Sequence, residues 1–152
     1  MINIEISRIK LVRESRHKYN ILSKRINGPI DAAQMIAVVL DLEHEAQEVL
    51  CEICLDVKNQ VTAILEVSRG TLSASVVHPR EIFRGAILHN SAAVIIFHNH
   101  PSGDTTPSTE DIDLTRRLTE SGKILDIPLL DHIIIGKDGH YTSLKERGII
   151  NV

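Results

Sequence analysis

Apolar and polar residues change rhythm along this chain, and the changes separate strands from helices. Residues 2–12 alternate, with Ile2, Ile4, Ile6 and then Leu11 apolar, which predicts a strand. Residues 13–27 are polar and charged and predict an irregular arm. Asn27-Gly28-Pro29 reads as a turn, and Asp31 as the N-cap of a helix reaching about Asp41. Met35, Ile36, Val39 and Leu40 share one face of that helix. A polar, acidic stretch follows at 42–47. Residues 48–56 predict a strand with Val49, Cys51, Ile53 and Leu55 on one face and Glu48, Leu50, Glu52 and Cys54 on the other. Lys58-Asn59-Gln60 turns the chain into a second strand at 61–67, making a hairpin. Gly70 breaks it, and 73–77 predicts a further short strand.

Pro79 suits the first turn of a helix, where a missing amide donor costs nothing. Ile82, Phe83, Ala86 and Ile87 form its apolar face, and Asn90 can end it in the left-handed conformation. The run Ala92-Ala93-Val94-Ile95-Ile96-Phe97 is short and rich in β-branched residues, the mark of a buried strand. A helix is expected from Ser108 to about Ser121, with Gly122 as its stop. Residues 129–135 predict a strand, Lys137-Asp138-Gly139 a hairpin turn, and 140–144 a closing strand. This order of strands, helices and hairpins predicts an α/β (α+β) three-layer sandwich around a mixed sheet.

The chemistry gathers where the buried strand ends, in His98-Asn99-His100-Pro101-Ser102-Gly103-Asp104-Thr105-Thr106-Pro107-Ser108-Thr109-Glu110-Asp111. His98 and His100 are two apart on a strand, so both imidazoles point to one side with Cα atoms roughly 6.5–7 Å apart. Both can reach one metal ion. Pro101, Gly103 and Pro107 hold the chain in a loop, and Asp111 falls in the first turn of the next helix, able to point back. Two histidines and one carboxylate, with a fourth position left to water, form the ligand set of a catalytic zinc site. The bland readings stand beside this one. Ser108 and Asp111 are also spaced as a helix-capping box, which is compatible with ligation, and H-x-H alone is a weak signal. The letters HNH are no evidence for the nuclease motif of that name, which is spread along a chain.

The combined pattern resembles the JAMM (MPN-plus) metalloprotease motif: a Glu, then H-x-H, seven residues, and S-x-x-D. The variant HNHPSGD…PS..D is similar to the RadC family of bacterial JAMM-like (JAB) domains. Gly70-Thr71-Leu72, Val77-His78-Pro79-Arg80-Glu81 and Leu130-Asp131-His132-Ile133-Ile134-Ile135-Gly136 extend the resemblance over roughly residues 28–150. It implies a JAMM, cytidine-deaminase-like architecture for residues 28–152, with 1–27 as an N-terminal strand and polar arm. It also implies the short form, without the helix-hairpin-helix segment of longer relatives. By resemblance, one zinc ion sits on His98, His100 and Asp111, Glu48 is the general base and Ser108 donates to the oxyanion. Glu43, Glu45, Glu52 and Glu66 remain alternatives for the base. His132 and His78 match family positions. His132 fits either a role beside the ligands or a satisfied histidine near a sheet end, and His78 fits local capping. Deamination is not expected, because the H-x-E…P-C-x-x-C signature is absent.

Composition narrows the function further. The 152 residues suit one domain, and 43% hydrophobic with 24% charged residues is an ordinary profile. No apolar run nears the ~20 residues of a membrane span. The N-terminus does not read as a secretory signal, so a cytoplasmic protein is expected. The net charge of -3 gives no general pull toward nucleic acid. A local basic cluster remains at Arg8, Lys10, Arg13, Arg16, His17 and Lys18. Cys51 and Cys54 form C-x-x-C, but on a strand they face opposite sides and no second pair exists for a structural zinc, so they read as small buried hydrophobes. The leading expectation is a zinc metallopeptidase acting on a peptide or isopeptide bond of a protein substrate. The alternative is a metal-stabilised DNA-repair or mobile-element accessory module that binds DNA or a protein without turnover.

Overall fold

The computed structural model describes residues 1–12, 17–19, 21, 23–70 and 77–151. Helix α1 spans Pro29–Val39, strand β1 Val49–Leu55, β2 Val61–Arg69, α2 Pro79–Leu88, β3 Ala93–Asn99, α3 Thr109–Leu125, β4 Leu129–Ile135 and β5 Tyr141–Ser143. The strands form one sheet in the order β2-β1-β3-β4-β5. β3 and β4 run parallel, joined through α3, and the other neighbours are antiparallel. The fold is the expected mixed sheet between helices.

The two faces follow the alternation of the sequence. Val49, Cys51, Ile53 and Leu55 join Ala93, Ile95, Phe97 and Ile133 under Ala32, Met35 and Ile36 of α1. Leu50, Val94, Ile96 and Ile134 face the other way, against Ile82, Phe83 and Ala86 of α2 and Leu114 and Leu118 of α3. Every residue of β3 is buried. A strand covered on both faces needs apolar residues at successive positions, which is why 92–97 shows no alternation. Full burial of one Leu, Ile or Phe side chain contributes about 1.5–3 kcal/mol, so β3 is a firm base for the loop at its C-terminal end.

That base opens at one end. The β1–β3 ladder stops at Leu50–His98, whereas β3–β4 continues to Asn99–Ile135. The strands part there, and the crossover to α3 brings the first turn of that helix over the gap. The candidate ligands lie at this split.

Several expectations need correction. Residues 2–12 form no strand, and Ile2, Ile4 and Ile6 are exposed. Alternation makes a strand only where a neighbour supplies a ladder, and none pairs with this segment among the described residues. Gly28, not Asp31, caps α1. Pro29 fills the first turn, and Asp31 accepts from the Asn27 backbone N–H at 2.9 Å. Helix α3 passes Gly122 and ends at Leu125, with Asp126 as its C-cap at φ 55°. Gly122 instead permits close packing, since a Cβ there would stand 2.6 Å from the Ile127 carbonyl oxygen. The strand expected at 73–77 lies outside the described residues apart from Val77. Among the described residues no helix is long and apolar enough to cross a membrane.

Candidate metal centre

His98 lies fully buried near the end of β3, His100 is half-buried just beyond it, and Asp111 sits buried at the third position of α3. Their donor atoms converge. The two Nε2 atoms are 2.9 Å apart, and each lies 3.2 Å from an oxygen of Asp111: Oδ1 for His98, Oδ2 for His100. Ligands about 2.0 Å from a tetrahedral zinc stand roughly 3.3 Å from one another. The three donors therefore span one face of such a tetrahedron with only a small expansion, and these residues could hold a metal ion.

Proton counting shows that both histidines present the correct nitrogen. Thr115 Oγ1 donates to the Asp111 carbonyl oxygen at 2.6 Å, which uses its one proton. It must then accept from His132 Nδ1, also at 2.6 Å. Burial, with the His98 charge beside it, drives the His132 pKa well down. Its Nε2 is therefore a lone pair and accepts from His98 Nδ1 at 2.7 Å. That leaves His98 Nε2 as the nitrogen facing His100 and Asp111, a lone pair whenever the ring is neutral. His100 Nδ1 donates to the Asp104 carbonyl oxygen at 2.7 Å, so Nε2 is the nitrogen turned to the cluster; protonated it hydrogen-bonds Asp111, and deprotonated it can take a metal. A partner on the far ring nitrogen is how metal-binding imidazoles are ordinarily oriented.

Asp111 is fixed by its helix as well. Its Oδ2 accepts from the Ser108 backbone N–H at 2.8 Å, while Ser108 Oγ accepts from the Asp111 N–H at 3.1 Å. The capping box and the ligand position coexist. Burial alone would raise the Asp111 pKa, but the hydrogen bonds to His100 and His98 hold it far below the usual carboxylate range. His100 is raised mainly by its bond to Asp111, against burial and with help from the Asp104 carbonyl and the nearby Asp111 and Glu48 charges.

A sequence model of RadC-like JAB domains matches residues 26–149. The chain belongs to this family. It is 48% identical over 142 residues to a UPF0758 protein of Desulfitobacterium hafniense, covering 93% of this chain and 61% of that protein. A UPF0758 protein of Clostridium botulinum is 53% identical over 126 residues, covering 83% and 54%. One from Roseiflexus castenholzii is 46% identical over 146 residues, covering 96% and 59%. The chain thus spans 54% to 61% of the length of these relatives.

In this RadC-like domain Glu48 lies half-buried just before β1, close enough for its charge to raise the His100 pKa. A cavity of about 400 Å³ opens beside it, lined by Ala46, Gln47, Glu48, Gly70 and Pro101. The larger concavity, of about 760 Å³, lies away from the ligands between the N-terminal arm, α1 and β2. The other acids are placed elsewhere. Glu43 accepts from the Asp138 backbone N–H, Glu45 and Glu66 pair with Arg69, and Glu52 is fully buried. Ser108 is exposed at the α3 N-cap.

His78 caps its helix locally, its backbone N–H donating to Glu81 Oε2 at 3.0 Å. Cys51 and Cys54 are buried and free, and burial pushes both thiols up to about 12. Sequence reasoning missed Thr115, which lies four residues after Asp111 and so shares its helix face. That spacing was a usable signal. It also missed Asp131, whose carboxylate accepts from the His132 and Lys145 N–H groups and the Ser143 hydroxyl.

Proposed function

We propose that this RadC-like domain is a zinc-dependent hydrolase of the metallopeptidase type, cleaving a peptide or isopeptide bond. The observation that carries the reading is the convergence of two histidine Nε2 atoms, each with its Nδ1 engaged elsewhere, and one carboxylate at the split end of the sheet. A bound zinc there would supply a water acidified from a pKa of ~15.7 toward ~7. The protein's own groups would do the rest. Glu48 is the general base, placed beside the ligands without belonging to their triangle. Ser108 donates its hydroxyl to the developing oxyanion. Its oxygen already accepts from the Asp111 N–H, so its proton stays available to a substrate. The cavity between Glu48 and Pro101 is the proposed entry for the scissile bond.

The test is a hydrolysis screen over mixed peptide and isopeptide substrates, on zinc-loaded protein, with and without chelator. Turnover should appear, vanish with chelator, and fall at least ~10²-fold in Glu48→Gln while zinc is retained. A metal-loaded, folded protein inert across the screen, but binding DNA or a protein, would instead establish an accessory module.

A further inference from the structure

Between the two histidines stands a side chain that the chemistry above does not use. Asn99 is 1% exposed and, being odd-numbered on β3, points to the opposite face from His98 and His100. Its carboxamide is fully engaged, and every partner lies in the segment that carries Glu48. Oδ1 accepts from the Val49 N–H at 2.7 Å. Nδ2 donates to the Gln47 carbonyl oxygen at 2.9 Å and, over a longer 3.4 Å, to that of Glu45. These bonds occur just past Leu50–His98, where the backbone ladder between β1 and β3 ends. The side chain thus replaces the missing rung across the split.

We infer that Asn99 is a positioning residue that holds Glu48 in register with the metal ligands. The inference rests on the reading of Glu48 as the base. Its backbone neighbours are the two histidine ligands and its side-chain partners flank Glu48, so one residue ties both halves of the site together. The β1–β3 ladder gives no rung to this segment, whereas on its other side the Gly70 N–H donates to the Glu48 carbonyl oxygen at 2.8 Å and ties it to the end of β2. Arg69 braces the same segment from outside, donating to Glu45 Oε2 at 2.7 Å and to Glu66 Oε1 at 2.8 Å, but it grips the side chain of Glu45 and not the backbone around Glu48. Loss of the Asn99 bonds should leave the donor triangle intact and let Glu48, still tied to Gly70, shift relative to the histidines on β3.

The test is a double-mutant cycle read with cobalt(II), whose visible absorption reports the metal's surroundings without a substrate. Protein loaded with one cobalt per chain is titrated with base, and the pH midpoint of the spectral change is recorded. A carboxylate beside the site displaces that midpoint through its charge. Glu48→Gln should therefore move it by about 0.5 unit or more in the wild-type background. In the Asn99→Ala background the same substitution should move it by less than about half as much, because the two residues act as a unit. Asn99→Asp supplies a second background if the alanine variant fails to fold. It keeps the acceptor for Val49 and replaces the Nδ2 donor by an oxygen that faces the Gln47 and Glu45 carbonyls with no proton to give. An equal Glu48→Gln shift in wild-type and Asn99 backgrounds would overturn the positioning role. No shift in the wild-type background would overturn the placement of the base, and with it this inference. A merely structural Asn99 would lower the melting temperature without changing the size of the Glu48→Gln shift.

Discussion

Replacing Glu52 by glutamine should flatten the pH dependence of folding between pH 5 and pH 8. Glu52 points from β1 toward α2 and is 0% exposed. Its Oε1 accepts only a long 3.6 Å contact from Cys54 Sγ, and Oε2 is buried with no hydrogen-bond partner among the described residues. Room for the carboxyl exists because residue 85 of α2 is glycine, where a Cβ would collide with Oε1. Burial pushes the Glu52 pKa from 4.5 up to about 7, with the Cys54 contact pulling weakly the other way. The folded state thus binds its proton more tightly than the unfolded chain does. The stabilisation is fully present below pH 4.5 and is lost as pH rises to about 7. At about 1.4 kcal/mol per unit, the full swing is ~3 kcal/mol, of which ~2.5 kcal/mol falls between pH 5 and pH 8.

Glutamine keeps the shape and stays neutral throughout, so its own desolvation cost enters equally at every pH. Urea unfolding of wild type and Glu52→Gln, both with chelator, at half-unit steps of pH gives the curve. Titration of the ligand cluster cancels in the difference between the two proteins. The stability gap should change by ~2.5 kcal/mol across the range, in the direction that favours the variant at high pH. In melting temperature this is about 5–10 °C. Parallel curves would refute the claim that Glu52 is buried as a neutral acid.

The same geometry sets three further outcomes. His132→Ala and Thr115→Val should each weaken metal affinity about 10- to 100-fold, the usual cost of losing an outer partner of a ligating histidine, measured by competition with a chromophoric chelator. Unchanged affinity in both would dissolve the relay that orients His98. Ser108→Ala should cost about 1 kcal/mol of stability as a lost cap and slow turnover ~10²–10³-fold as a lost oxyanion donor; a change in stability alone would leave Ser108 as a cap. Metal affinity should fall as pH drops through the raised His100 pKa, because protonated Nε2 has no lone pair to give. Isothermal titration at stepped pH should show proton release on binding, and pH-independent affinity would contradict His100 as a ligand.

The parts of this protein legible in its sequence are those fixed by local rhythm. The strand at Leu129–Ile135, the hairpin after Leu55 and the helix opening at Pro79 all announce themselves through period and turn residues. His98 and His100 could be placed on one side because alternation on a strand is geometrically strict. Asn99 was illegible for the complementary reason. Its partners lie some fifty residues away, and nothing local says which strand β3 will meet. His132, whose contact with His98 spans 34 positions, was reachable only through the family resemblance, which left open a role beside the ligands; no local pattern points to it. Residues 2–12 misled because alternation is necessary for a half-buried strand but not sufficient. Gly122 misled because a glycine near a helix end serves equally as a stop or as room for a neighbouring backbone, and only the chain folding back through Ile127 decides between them.

Elemental analysis of the purified protein tests the metal centre most directly. Wild-type protein dialysed against zinc and then against buffer should retain about one zinc per chain, the stoichiometry of a single three-residue site. His98→Ala, His100→Ala and Asp111→Asn should each lose it while remaining folded by circular dichroism. Full zinc in all three folded variants, or none in the wild type after loading, would contradict the assignment of this cluster as a metal centre.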